Sequence, residues 1–213
     1  MTSPASPPPH SLQGLSRRAQ LFVRGHGLRV PPREIQPRRV QWLRHGIAAA
    51  EIDRVADFQE RWGGLALPPA PAYEGGPRTL NADAPQGSPA EGWWFSAGDE
   101  RVSMAYGFMI GPGGEFGIHA ERWTPLHAST DGWVESLALA HHAARWAKNL
   151  TKITGDAVDA LDLDEYEPVP EVQGLTDNWW RGTDSLIAVY RGEADCPTAP
   201  RCREAHIYGG LDG

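Results

Sequence analysis

Histidines and carboxylates are the residues of this 213-residue chain whose types and spacing suit chemistry. His119, His127, His141 and His142 form the one cluster with metal-site character, since imidazole is a common ligand of zinc and its neighbours. Adjacent side chains on a helix diverge by about 100°, so His141 and His142 cannot grip one ion as an i, i+4 pair does. His119, His127 and His141 are then the set that a metal-dependent hydrolase would use to activate water. Asp162, Asp164, Glu165 and Glu167 offer a carboxylate pair for acid–base work or a cation site. Their run lacks the glycine an EF-hand loop demands, and a run of like charge is ordinarily a solvated face.

Other chemistry finds less support. The glycines of G-P-G-G-E-F-G at 111–117 have no following Lys-Ser/Thr and open no helix, so they suit a hairpin turn better than a phosphate loop. Ser136 and Ser185 lack the G-x-S-x-G elbow of a serine nucleophile. Cys196 and Cys202 alone build neither a disulfide framework nor a four-thiolate zinc site. No convergent set of polar residues emerges at structured positions, which favours a binding protein over an enzyme, with no cofactor and no metal expected.

Composition points the same way. Apolar residues make up 40% of the chain and charged residues 22%, the balance of a globular domain, while nine tryptophans exceed what a core of this size requires. No run reaches the roughly 18 apolar residues of a membrane span, and the first residues lack the order of a secretory signal, so the cytosol is the expected compartment. Residues 1–50 hold eight arginines against the single Glu34, a local balance of +7, which leaves −14 for residues 51–213 out of the net −7. Such acidity ordinarily serves to keep a protein soluble; the sharper reading is that an acidic body attracts a basic partner, and it argues against nucleic acid as the ligand of that body.

The elements that must position these residues follow from spacing. Pro-rich residues 1–14 are expected to form a disordered tail, and residues 15–213 one domain, with a helix–meander–helix core over 46–150 and an acidic extension over 151–213. Short helices are predicted around Leu21 to Val23 and over Arg38 to His45. Ile52, Val55, Phe58 and Trp62 make the stripe of a helix over 49–62, and Gly63 is expected to cap it in the left-handed conformation before a strand at 65–67. Strands are predicted near Thr79-Leu80, at 93–95, 102–110 and 116–119, with Gly98-Asp99 as a turn. A helix capped by Ser129, Thr130 or Asp131 follows and reaches the Asn149-Leu150-Thr151 sequon; Trp133, Leu137, Ala140 and Ala144 mark its apolar line, widened by Trp146. Strands at 185–190 and 205–208 close the chain.

Taken in order, these motifs resemble the SUKH superfamily, in particular its third type, over residues 16–150. The matching residues are Ala19, Phe22, Gly27, Leu28 in place of a tryptophan, Pro31, Arg33 and Ile35, then Phe58, Trp62, Gly63, Gly64 and Leu65. The stretch from Phe108 to Ile118 and that from Trp123 to Ser129 are similar to the family's later strand–turn–strand and helix-entry patterns. The resemblance implies an α+β fold, a curved antiparallel sheet backed by helices. It also implies an immunity protein that neutralises a cognate toxin of a polymorphic toxin system by direct binding.

On that reading Phe58, Trp62, Gly63, Gly64 and Leu65 are structural. The partner-binding candidates are Trp93, Asp131, Glu135, Asp162, Asp164, Glu165, Glu167 and Trp180, facing a basic protein toxin, with neither nucleic acid nor membrane as partner. A general interaction scaffold of the same fold is the first alternative, and the metal-dependent hydrolase the second.

Overall fold

Three helices open the chain where apolar spacing predicts them: α1 (Arg17–His26), α2 (Arg39–Arg44) and α3 (Ala49–Trp62). The computed structural model describes residues 12–196 and 200–211 and has an α+β architecture, 34% helical and 29% strand, with antiparallel sheets that are not closed. Of the tail expected at 1–14, residues 1–11 lie outside the described residues. Leu12 is only 2% exposed, and the Gln13 carbonyl accepts a 2.8 Å hydrogen bond from Arg61, so these two residues of that segment are packed on the fold.

The described chain packs as two compact units, residues 12–14 with 20–114, and residues 15–19 with 115–211. The boundary at Gly114 falls within the 46–150 stretch read as one core.

In the first unit, β1 (Leu28–Arg29), β2 (Leu65–Ala66), β3 (Pro77–Leu80) and β6 (Gly98–Glu100) stand in the order β1-β2-β3-β6. The strands β4 (Gln86–Ser88), β5 (Gly92–Ser96) and β7 (Gly107–Ile110) pair as β4-β5-β7. Ile52, Val55, Phe58 and Trp62 of α3 are buried, and Phe58 meets Phe95 of β5 edge-on at 5.5 Å. The left-handed residue after α3 is Gly64 (φ 75°), whereas Gly63 is extended (φ −53°, ψ 132°). Gly64 N donates to Leu80 O at 2.8 Å and its carbonyl accepts from Val30 N at 2.9 Å. A Cβ there would stand 2.1 Å from Val30 O, so the second glycine permits the turn and the close approach. Gln59 reinforces the corner, donating to Arg33 O at 2.9 Å and accepting from Ala82 N at 2.7 Å.

Two strand expectations change. Gly98-Asp99 is not a turn but part of β6, because only a residue without Cβ fits where Thr79 O would lie 2.4 Å from that atom. Residues 102–106, read as strand from their alternation, are irregular, and Val102 is 48% exposed: an apolar alternation makes a strand only where a neighbour accepts its ladder.

The basic segment is absorbed largely inside the fold. In the first unit, Arg29 donates to Gly63 O and Arg61 O, both at 2.8 Å, which satisfies the carbonyl end of α3. Arg33 pairs with Asp99, Arg38 with Asp83 and Arg39 with Asp53.

In the second unit, β8 (Phe116–His119) pairs with β9 (Trp123–His127), and α4 (Thr130–Trp146) follows, capped by Ser129 Oγ accepting from Gly132 N at 3.2 Å. A five-stranded sheet is then built from β10 (Asn149–Thr154), β11 (Glu167–Pro168), β12 (Asn178–Arg181), β13 (Ser185–Tyr190) and β14 (Glu204–Gly209), with α5 (Gly192–Asp195) between the last two strands. Its order is β10-β14-β13-β12-β11. Residues 149–151 are therefore strand and not a helix end, since Ala147 already leaves the helix at ψ 136° and Lys148 N bonds Gly209 O. Strand alternation sends Trp179, Leu186 and Tyr208 to one face, which α4 covers through Trp179 and Ser136. Ile187, Val189 and Ala205 face the other way and pack with Val158, Leu161, Leu163 and Tyr166.

Candidate functional site

The acidic segment is thus a lid over one sheet face. Val158, Leu161, Leu163 and Tyr166 turn inward, and the acidic side chains between them turn to water. Its two halves differ electrostatically. Arg203 pairs with Asp159 at 2.5 Å and reaches Asp156 at 3.9 Å, and Arg191 also pairs with Asp159 at 3.2 Å. Asp162, Asp164, Glu165 and Glu167 are exposed and, among the described residues, form no ion pair. Asp162 Oδ1 accepts from Asp164 N at 3.1 Å, which fixes the bend of the ridge, and Glu167 stands opposite Arg181 in the β11–β12 ladder.

The other partner-binding candidates are placed elsewhere. Trp180 is half-buried against the apolar layer beneath the lid. Asp131 is half-buried in the first turn of α4. Glu135 is only 3% exposed and is no surface contact: its carboxylate accepts from Ser16 N at 2.5 Å, Ser16 Oγ at 2.7 Å and Arg18 at 3.3 Å. An acidic residue one turn into a helix can be buried where a second segment brings donors, and that partner is 119 residues away in sequence. Trp93, in the first unit, is half-buried and lines a cavity of 320 Å³ beside the Glu51–Arg54 pair.

The histidines of the hydrolase reading do not converge. His119 is exposed at the end of β8, His141 half-buried on α4, and His127 fully buried. Among the described residues no group of three or more His, Cys, Asp or Glu could hold a metal ion. His127 Nδ1 donates to Val172 O at 2.8 Å, and its Nε2 is buried with no hydrogen-bond partner. Burial lowers its pKa to about 4 against the smaller opposing effect of the Val172 bond, so the ring is neutral, edge-on to Trp133 at 5.9 Å.

A polar chain running from the exposed Lys152 to the buried His206 and Tyr208 went unseen in the sequence. Lys152 donates to Glu204 at 3.1 Å, His206 Nε2 donates to the same carboxylate at 2.5 Å, and the Tyr208 hydroxyl donates to His206 Nδ1 at 3.4 Å. Burial alone would raise the Glu204 carboxyl, but the bonds from His206 and Lys152 outweigh it and hold it below the usual range. His206 is lowered by burial, partly offset by Glu204, and Tyr208 is pushed up to about 12, chiefly by burial. At 1% exposure His206 has no route to a substrate, and the chain reads as a bridge between three strand residues of alternate spacing.

A groove of 530 Å³ opens on the α4 side of the five-stranded sheet. Leu139, His142 and Trp146 of α4 form one wall, and the β12–β13 turn from Arg181 to Ser185 forms another. Trp146 is 59% exposed rather than part of the apolar line, with Arg145 5.9 Å over its ring. The signal lay in its setting, the last helical residue, between Arg145 and Lys148. Burial, and then the Arg18 guanidinium, hold the His142 imidazole below its usual value.

Comparison with protein-family models, with curated proteins and with solved structures found no match. No helix among the described residues is long and apolar enough to cross a membrane.

Proposed function

We propose that the chain is an immunity-type binding protein that neutralises a cognate, basic protein toxin in the cytoplasm by covering it. The motif resemblance to the SUKH superfamily suggests this class. The observation that supports it is the division of the acidic segment: Asp159 is paired with Arg203 and Arg191 and Asp156 lies near Arg203, while Asp162, Asp164 and Glu165 are left exposed and unpaired on a lid held to the sheet by four apolar side chains, and Glu167 is likewise exposed and unpaired on the edge strand β11. Fixed, unpaired carboxylates have a cost of mutual repulsion that a solubilising surface avoids by dispersing them, and they accelerate encounter with a cationic surface. Phosphate is repelled by the same field, which sets nucleic acid aside as the partner.

The test is co-expression with the product of the adjacent gene. The wild-type chain is expected to protect the cell from that product, and a variant with Asp162→Asn, Asp164→Asn, Glu165→Gln and Glu167→Gln to protect poorly. Equal protection by both, or none by the wild type, would sink the reading.

A further inference from the structure

The groove beside α4 carries two opposite charges on the turn at one end and largely apolar side chains, with His142 and Arg18, along the rest. Arg181 and Asp184 both line it, and they sit three positions apart on a turn closed by Gly182 N donating to Ser185 O at 2.9 Å. Among the described residues neither side chain forms an ion pair, with each other or with anything else. Arg18, the remaining guanidinium in the wall, is engaged by the buried Glu135 at 3.3 Å. Beyond the turn the surface is Leu139, Leu186, Leu211 and the exposed ring of Trp146, with the His142 imidazole among them. Leu211 is held in place by its N–H donating to Asp184 O at 2.8 Å.

We infer that this groove binds a free α-amino acid with a large apolar side chain, its carboxylate on Arg181, its ammonium on Asp184 and its side chain against Trp146. An α-amino acid bears both charges on one carbon and its apolar body to one side, which is the arrangement the turn and the walls offer. A guanidinium takes a carboxylate through two parallel N–H···O bonds, and an indole face takes an aromatic ring by offset stacking. The volume of 530 Å³ lies within the range of small-molecule pockets. The groove lies on the sheet face opposite the apolar layer of the lid, with Glu167 the one acidic candidate beside it, across the ladder from Arg181; because the readout is a small molecule and not the toxin, its failure would leave the toxin-binding reading untouched.

The test is calorimetric titration of the full chain with L-phenylalanine, L-phenylalaninamide, N-acetyl-L-phenylalanine and glycine. L-Phenylalanine is expected to bind one to one, the amide and the acetyl compound each about fivefold to tenfold more weakly, and glycine not at all. Arg181→Gln should erase the discrimination against the amide alone, and Asp184→Asn that against the acetyl compound alone. Trp146→Ala should weaken L-phenylalanine about tenfold. All three substituted residues are exposed, so unchanged melting temperatures will certify the fold. Absence of binding by L-phenylalanine, equal binding of the three phenyl compounds, or variants that behave as wild type would overturn the proposal.

Discussion

Trp179 Nε1 donates a 2.9 Å hydrogen bond to Ser136 Oγ, and both residues are buried. One side chain comes from the five-stranded sheet and the other from α4, so the bond fixes the sliding position of helix on sheet where apolar contact alone would leave it loose. Ser136→Ala leaves a buried indole N–H without an acceptor and should cost about 1–3 kcal/mol by urea denaturation. A change under about 0.5 kcal/mol would mean that the bond is not formed in solution.

The corner after α3 should be intolerant. Gly64→Ala forces a side chain into φ 75° with Val30 O 2.1 Å away, and about 3 kcal/mol or more of stability should be lost. Trp62→Ala should cost about 3–5 kcal/mol through the cavity it opens. Thermal melts that overlay the wild type would contradict both.

Two acidic positions should part company. Glu135→Ala strips a buried acceptor from Ser16 and Arg18 and should destabilise by about 2–3 kcal/mol, Arg18 being partly exposed. Asp164→Asn, on the exposed ridge, should shift stability by no more than about 0.5 kcal/mol. Equal effects in chemical denaturation would show that the ridge is structural.

His127 sets a pH dependence. Its folded pKa, about 4, lies below the unfolded value of 6.5, so the neutral ring favours the fold. The stabilisation is complete above pH 6.5 and is lost as the pH falls from 6.5 toward 4, roughly 3 kcal/mol in all. His127→Asn, whose amide N–H can still reach Val172 O, should flatten that part of the stability profile. A ring proton that titrates near pH 6.5 by NMR would contradict it.

Much of the fold was legible because local signals agreed with tertiary ones. The limits of α3, the start of α4 at its Ser129 cap and the strand Ser185–Tyr190 all follow from period and capping. The failures share a cause. Gly98 looks like a turn residue until β3 is laid beside it, Glu135 looks solvated until Ser16 arrives, and residues 149–151 look helical until β14 offers a ladder. The lid was read as a charged run, since its apolar residues Val158, Leu161, Leu163 and Tyr166 follow no regular period. The groove was invisible because its two walls are 35 residues apart in sequence, α4 ending at Trp146 and the turn beginning at Arg181.

The most direct measurement is a stopped-flow association of the chain with the purified product of the adjacent gene, at low and at high salt, for the wild type and for the variant neutralised at Asp162, Asp164, Glu165 and Glu167. The expected result is a one-to-one complex whose on-rate falls steeply with salt in the wild type, and a variant that associates at least tenfold more slowly at low salt with little salt dependence. No complex, or identical and salt-insensitive rates for both chains, would contradict it.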